Sequence, residues 1–379
     1  MSASLKELRL DVYIVRARGG GARRMRRNMA NGHSSHSGFT LALSARWEVG
    51  GIGLLTQLGP KRSMRSAAAG RLSLLSTVMT AARLAPSFLA TDFDGTCTEK
   101  ETIPLLPQLA ACLGPAERAS TKLATFQQLE NAYMAGLNHI LAQHELDGAP
   151  NDALNLEGLA SILREMDAHS TEITMQVGQS GCLADIPPQA VAGQLACWAA
   201  SPETAPTGPA TLRSGCANTL RSLAESGCGL GVLSINWSPA LIRATLDPEV
   251  RHPFELWCNE LLEDGTIVLP VPGAAEKRTR IASLVEQAAG RGPVVYVGDS
   301  ATDLLGLIEA DVGILIGESR SARRVARKFG VRLEPLPCSL GECNGRAAAA
   351  AADARGVVWE ATCWEDIRRC LLDTPVVAY

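Results

Sequence analysis

An α/β fold, a three-layer Rossmannoid sandwich around a parallel sheet with a helical domain inserted, follows from three observations. Short apolar runs alternate with helix-patterned segments over residues 229–372, as parallel strands do when helices cover both faces. A helix-patterned block, 98–228, breaks that alternation after the first apolar run. Residues suited to chemistry stand at the ends of those runs, Asp92, Ser234 and Asp299, where ligands gather in open α/β sheets.

The first strand is Ser87–Thr91, and it runs directly into Asp92-Phe93-Asp94-Gly95-Thr96. In the inserted block, Leu123, Phe126, Leu129, Tyr133, Met134, Leu137, Ile140 and Leu141 recur at helical steps, and Leu156, Leu159, Leu163 and Met166 form a second stripe. Asn155 with Gly158 nearby suggests no single clean cap for that second helix. Residues 201–208, SPETAPTG, read as a loop, and a helix is expected from about Pro209 to Gly227. A strand over Leu230–Ile235 precedes a helix opening at Pro239, a residue suited to the first helical position. Residues 254–270 carry no clear pattern. Then come a helix over Gly273–Ala288, a strand over Val294–Val297, a helix over Leu304–Ala310, a strand over Val312–Ile316 and a helix over Ala322–Phe329. Val331–Leu333 and Val357–Trp359 are expected as edge strands, Ala347–Ala352 as a low-complexity insertion within 341–356, and Trp364–Leu372 as the last helix.

The domain division is therefore a disordered basic presequence, 1–86, a core made of 87–97 and 229–379, and a helical cap, 98–228. Composition agrees with a folded body: 46% apolar, 20% charged and a net charge of −3 over 379 residues argue against a disordered chain, a collagen or a generic nucleic-acid binder. No apolar run reaches the length of a membrane span. Charge is unevenly placed. Residues 1–88 hold 14 Lys or Arg against 3 acids, including Arg23, Arg24, Arg26 and Arg27, whereas 89–379 hold 22 against 36. An Arg- and Ser-rich, acid-poor start is the composition of a transit peptide and predicts a mitochondrial or chloroplast address, with the cytoplasm as the alternative. The eleven cysteines and six histidines are scattered, with no CxxC pair, no zinc-finger spacing and no HExxH; GxSxG and Walker A motifs are also absent.

Four separated pieces carry the chemistry: Asp92-Phe93-Asp94-Gly95-Thr96, Ser234, Lys277, and Gly298-Asp299-Ser300-Ala301-Thr302-Asp303. A pair of acids after a buried strand is not something packing requires, since buried carboxylates need partners or a metal. In this order, over residues 87–333, the four pieces resemble the haloacid-dehalogenase-like (HAD) hydrolase superfamily. The resemblance implies that Asp92 attacks phosphorus to form an aspartyl-phosphate. Asp94 then acts as acid toward the leaving alcohol and base toward water. Thr96, Ser234, Asn236 and Lys277 bind the phosphoryl oxygens. Asp92, the Asp94 carbonyl and Asp299 hold Mg²⁺, with Asp303 in an outer position or ligating through water. The second acid, Asp94, fits a phosphatase rather than a dehalogenase, and a helical cap suits a small substrate rather than a phosphoprotein.

A narrower likeness is to the HAD-type domain of plant bifunctional thiamine-biosynthesis proteins, in which it follows a TenA-like domain and acts as a thiamine monophosphate phosphatase. It is carried by Thr96-Cys97-Thr98, Asn155-Leu156-Glu157-Gly158-Leu159, Leu233-Ser234-Ile235-Asn236-Trp237-Ser238, Asn259-Glu260-Leu261, Tyr296-Val297-Gly298-Asp299-Ser300, Glu309–Gly317 and Ala361-Thr362-Cys363-Trp364. Residues 1–88 are too short and too basic to be a TenA-like domain. The resemblance implies thiamine monophosphate as substrate, and the block 98–228, with 6 basic and 14 acidic residues, suits a cation. Glu101, Phe126, Glu130, Tyr133 and Trp198 are the candidates to face it; the alternative for Phe126 and Tyr133 is the cap's own core. Alternative substrates are pyridoxal phosphate, a nucleoside monophosphate or phosphoserine; the alternative of another class is a non-catalytic binding scaffold. No nucleic-acid partner is expected.

Overall fold

The computed structural model describes residues 85–372 apart from 145, 147–150, 202–207 and 344–356. The basic presequence before residue 85, most of the 201–208 loop and the Ala347–Ala352 segment lie outside the described residues.

The strands are β1 (Phe88–Thr91), β2 (Gly229–Leu233), β3 (Glu255–Trp257), β4 (Glu260–Leu261), β5 (Ile267–Val268), β6 (Val294–Gly298), β7 (Val312–Ile316), β8 (Arg332–Pro335) and β9 (Val357–Ala361). Seven form one sheet in the order β3-β2-β1-β6-β7-β9-β8, and every pairing in it is parallel. β4 and β5 make a small antiparallel ribbon in the stretch 254–270, where no pattern was visible. β1 sits between β2 and β6, with Thr91 level with Val232 and Val297, so the chain leaves three adjacent strands at one edge.

Alternation along the strands divides the interior in two. Val232, Val295 and Ile314 belong to one core cluster, and their neighbours Leu233, Tyr296 and Leu315 to the other. The first face is covered by helices Cys216–Glu225, Pro239–Val250 and Trp364–Leu372; the second by Ala274–Ala288, Leu304–Glu309 and Arg320–Lys328. This is a three-layer α/β sandwich. Further helices, Leu105–Leu113, Ala119–Gln143, Leu156–Ser180 and Pro188–Ala200, come between β1 and β2. Among the described residues, no helix is long and apolar enough to cross a membrane.

Three expectations are corrected. Val357–Trp359 belongs to an interior strand: β9 lies between β7 and β8, with Val358 and Trp359 buried and Glu360 ion-paired to Arg323. An apolar run of three residues says nothing of its neighbours. The helix expected from Pro209 begins only at Cys216, because 211–213 run extended beside 97–99: Leu212 bridges Thr98, and Arg213 N donates to the Cys97 carbonyl. Gly215, at φ 82°, then turns the chain into the helix. Asn155 is a clean cap after all, its side-chain oxygen accepting from Gly158 N at 2.9 Å.

Candidate active site

Asp92 leaves β1 with its backbone N–H bonded to Val297 O, which holds it at the central crevice of the sheet. It is 5% exposed. One carboxylate oxygen, Oδ2, lies 3.3 Å from Lys277 Nζ; the other, Oδ1, is buried with no hydrogen-bond partner. Burial pushes the Asp92 pKa well up, and Asp303 and Asp299 add to that against the opposing charge of Lys277.

Asp94 is also buried, but both its oxygens are occupied. Thr102 N donates to Oδ1 at 2.7 Å and Asn236 Nδ2 to Oδ2 at 2.6 Å. Asn236 also donates to the Thr102 hydroxyl. Burial raises the Asp94 pKa, with Asn236 and Thr102 pulling the other way. Between the two acids and Asp299 the chain turns at Gly95, φ 69°, where an added Cβ would lie 2.5 Å from Asp299 Oδ2. Only glycine lets these carboxylates meet.

Asp299 accepts from the Thr96 hydroxyl at 2.7 Å, and burial, with the charge of Asp303, raises its pKa to about 7. Asp303 is wholly buried. Lys277 Nζ and Tyr296 OH donate to its Oδ1 at 2.7 and 2.6 Å, and Ser300 N and Oγ to its Oδ2. Burial works against its charge, but Lys277, Tyr296 and Ser300 outweigh it and lower the pKa. Lys277 is fully buried too; burial opposes its ammonium, and Asp303 and Asp92 overcome that. Ser234, 1% exposed, stands at the end of β2, its oxygen accepting from Asn236 N at 3.1 Å and its own hydrogen left to donate.

Carboxylate oxygens of Asp92, Asp299 and Asp303 lie within 4.8 Å of one another. Three acids so close, with one lysine between them and an orphaned oxygen on Asp92, make a donor set for a hard divalent cation. Asp303 has both oxygens saturated by protein donors, which leaves the direct contacts to Asp92 and Asp299.

The segment between β1 and β2 contributes less uniformly. Glu101 reaches solvent, yet its crowded surroundings and the charges of Asp94, Asp299 and Asp92 push its pKa well up. With Glu99, Thr102, Leu105 and Thr211 it lines a small cavity of about 100 Å³. Tyr133 stacks on His169 at 5.7 Å, and burial, with the charges of Glu101 and Asp167, raises its pKa to about 12. Phe126 and Trp198 are packed into a hydrophobic core cluster instead. Glu130 accepts from Gln127 on an exposed face.

Three supporting residues escaped sequence reasoning. Tyr296 reads as one more apolar strand residue, yet its hydroxyl fixes Asp303. Arg213 donates from Nε to the Gly95 carbonyl at 2.7 Å, and Trp364 Nε1 donates to the Thr96 carbonyl at 2.9 Å. Arg213 was hidden in the expected helix, and Trp364 lies 268 residues from its partner.

A parallel α/β sandwich with an acid cluster at the carboxyl edge of its central strands is consistent with the architecture of HAD-like hydrolases, and the cluster supports a hydrolytic, phosphatase-type activity. No known family profile matches the chain. It is similar to the mitochondrial bifunctional TH2 protein of Arabidopsis thaliana, 26% identical over 271 residues that make up 65% of this chain and 42% of that one. The chain thus spans less than half the length of this curated relative. Among solved structures, an apo phosphoserine phosphatase matches at 13% identity and a TM-score of 0.38, covering 63% of this chain and 90% of that one. A Bordetella pertussis protein of unknown function matches at 13% identity and a TM-score of 0.40, covering 72% and 98%.

Proposed function

We propose that the protein is a Mg²⁺-dependent phosphomonoester hydrolase that works through an aspartyl-phosphate on Asp92, with thiamine monophosphate as its substrate. The observation that carries the reading is Asp92 itself. It is buried at the crevice, with one oxygen steadied by Lys277 and the other left without a protein partner, and its carboxylate clusters with Asp299 and Asp303. In this reading 98–228 is a cap over a core of 87–97 and 229–379.

Asp92 attacks phosphorus; the ester P–O bond breaks, and the leaving oxygen takes a proton from Asp94. The raised pKa of Asp94 makes the protonated form accessible, and Asn236 and Thr102 aim its carboxyl. Asp94 then takes a proton from water, whose oxygen attacks phosphorus and releases phosphate from Asp92. Lys277 and Ser234 donate to the phosphoryl oxygens, while Asn236 and Thr96, whose side-chain hydrogens go to Asp94, Thr102 and Asp299, hold the acids in place around it. Mg²⁺ held by Asp92, Asp299 and the Asp94 carbonyl, with Asp303 behind, would neutralise phosphoryl charge.

The thiamine reading rests on the resembling segments and on Glu101, a carboxylate in a small cavity near the acids, suited to a thiazolium cation. Tyr133, beside Glu101, offers a π-face to the same cation. The basic presequence supports an organellar address, as does the relative's mitochondrial one. A turnover screen of the full chain tests the function, with thiamine monophosphate, pyridoxal phosphate, nucleoside monophosphates, phosphoserine and p-nitrophenyl phosphate, each with Mg²⁺ and with chelator. Thiamine monophosphate should give the highest kcat/KM, and chelator should abolish turnover. Preference for another ester by more than about tenfold, a difference of some 1.4 kcal/mol, would remove the thiamine assignment. Absence of turnover on every ester would favour the non-catalytic scaffold.

A further inference from the structure

The helix that presents Lys277, Ala274–Ala288, starts without a cap of its own. Its N-cap is Gly273, which has no side chain to satisfy the orphan N–H groups of the first turn. The missing acceptor comes from elsewhere in the chain. Asp167, in the middle of the helix Leu156–Ser180, accepts from Ala274 N through Oδ2 at 2.9 Å. The fit leaves no slack: a Cβ at Gly273 would lie 2.1 Å from the Asp167 carboxyl. One turn on, Lys277 N bonds back to Gly273 O, and Lys277 Nζ lies between Asp303 and Asp92.

The helix bearing Asp167 is itself fixed to the sandwich at its start. Asn155 N donates to Phe329 O at 2.8 Å, and the Asn155 side chain caps the helix. Asp167 therefore stands on an anchored element, and its negative charge lies at the positive end of the Lys277 helix.

We propose that Asp167 is a positioning residue for the phosphoryl site: by capping the Lys277 helix from the inserted helices, it sets where Lys277 meets Asp92. The inference rests on the reading of Asp92 and Lys277 as phosphoryl-site residues. Asp167 touches no reacting atom; it acts through the first turn of the helix.

The charged and titratable groups around Asp167 are Glu276, Lys277 and Arg278 on the capped helix, Tyr133 on Ala119–Gln143, Arg164 on its own helix, and Glu309 across the groove. Burial, with the charge of Glu276, raises the Asp167 pKa to about 6 against the backbone N–H groups of Ala274 and Ala275. A folded-state pKa above the unfolded one means that stability falls as pH rises toward about 6. Asp167→Asn, which cannot ionise, should flatten that part of the pH–stability curve.

The experiment uses the full chain with p-nitrophenyl phosphate, which needs no contact from the inserted helices, and hydrogen exchange over 274–278. Asp167→Ala should lower kcat about tenfold, within the range a small misplacement costs, leave KM within about twofold, and speed exchange at 274–278. Asp167→Asn, which keeps an acceptor oxygen, should restore at least half of kcat and the slow exchange. If Asp167→Ala fails to fold, Gly273→Ala displaces the same carboxylate from the other side and should give the same pattern. Wild-type kcat with unchanged exchange in the displaced variant would overturn the inference, as would failure of Asp167→Asn to restore kcat. If the wild type hydrolyses no ester, the phosphatase reading fails instead, and unchanged exchange at 274–278 would still dismiss the cap.

Discussion

The catalytic crevice and the inserted helices differ in how their polar side chains are held. In the crevice the acids are held by protein donors: Asp94 by Thr102 and Asn236, Asp303 by Lys277, Tyr296 and Ser300, and Asp299 at Oδ1 by Thr96. Asp92 Oδ1 differs in being buried with no hydrogen-bond partner. In the segment between β1 and β2, Glu101, in the loop before the first helix, reaches solvent, Glu130 bonds a neighbouring turn, and Phe126 serves the core. A preorganised floor with one unpartnered oxygen suits chemistry common to many phosphate esters, because its fixed groups need no rearrangement as charge develops. Looser side chains in the inserted segment suit discrimination between leaving groups.

Breaking the floor at its unpartnered group should have the largest effect. Asp92→Asn should lower kcat by about 10⁵-fold on every ester, the scale of nucleophile deletions, with the thermal transition and circular dichroism retained. Next comes the metal pair. Asp299→Ala should raise the Mg²⁺ concentration for half-activation by about 100-fold, while Asp303→Ala shifts it by no more than about tenfold, as an outer-shell loss does. Asp303→Ala should instead cost stability, about 3 kcal/mol by denaturant titration, because Lys277 stays buried with one partner fewer. Equal Mg²⁺ midpoints would reverse the two roles.

Two further substitutions sharpen the contrast from the other side. Glu101→Gln should lower kcat/KM for thiamine monophosphate about tenfold and spare p-nitrophenyl phosphate, a ratio read by competition in one assay. Equal losses on both esters would place Glu101 with the floor. Phe126→Ala should cost about 3–5 kcal/mol of stability, as a buried aromatic does, and leave KM unchanged for both esters.

The same contrast explains what could be read in advance. Asp92, Asp94, Ser234 and Asp299 were legible because each follows a short apolar strand, and a parallel sheet gathers its strand ends at one edge. Lys277 was legible only through the resemblance, since three of four neighbouring positions are basic and periodicity cannot choose among them. Tyr296, Arg213 and Trp364 were not legible, because each acts through a bond whose partner is named by the tertiary fold alone. Asp167 was equally silent: nothing within a helix signals that its carboxylate caps another helix 107 residues later. Phe126 and Glu130 shared the helical stripe region with Tyr133, and spacing could not say which face turned toward the acids. The strand boundaries held to within a residue or two, whereas the helix expected from Pro209 was shortened by a pairing with 97–99 that has no local pattern.

The central claim is that Asp92 carries the phosphoryl group. Its most direct test is to quench the full-length enzyme in acid during turnover of ³²P-labelled thiamine monophosphate with Mg²⁺ and to locate the label by peptide mass spectrometry. The account predicts an acid-stable, hydroxylamine-labile phosphate on the peptide bearing Asp92, absent from Asp92→Asn. Label on another residue, or turnover by Asp92→Asn at more than about a tenth of the wild-type rate, would contradict it.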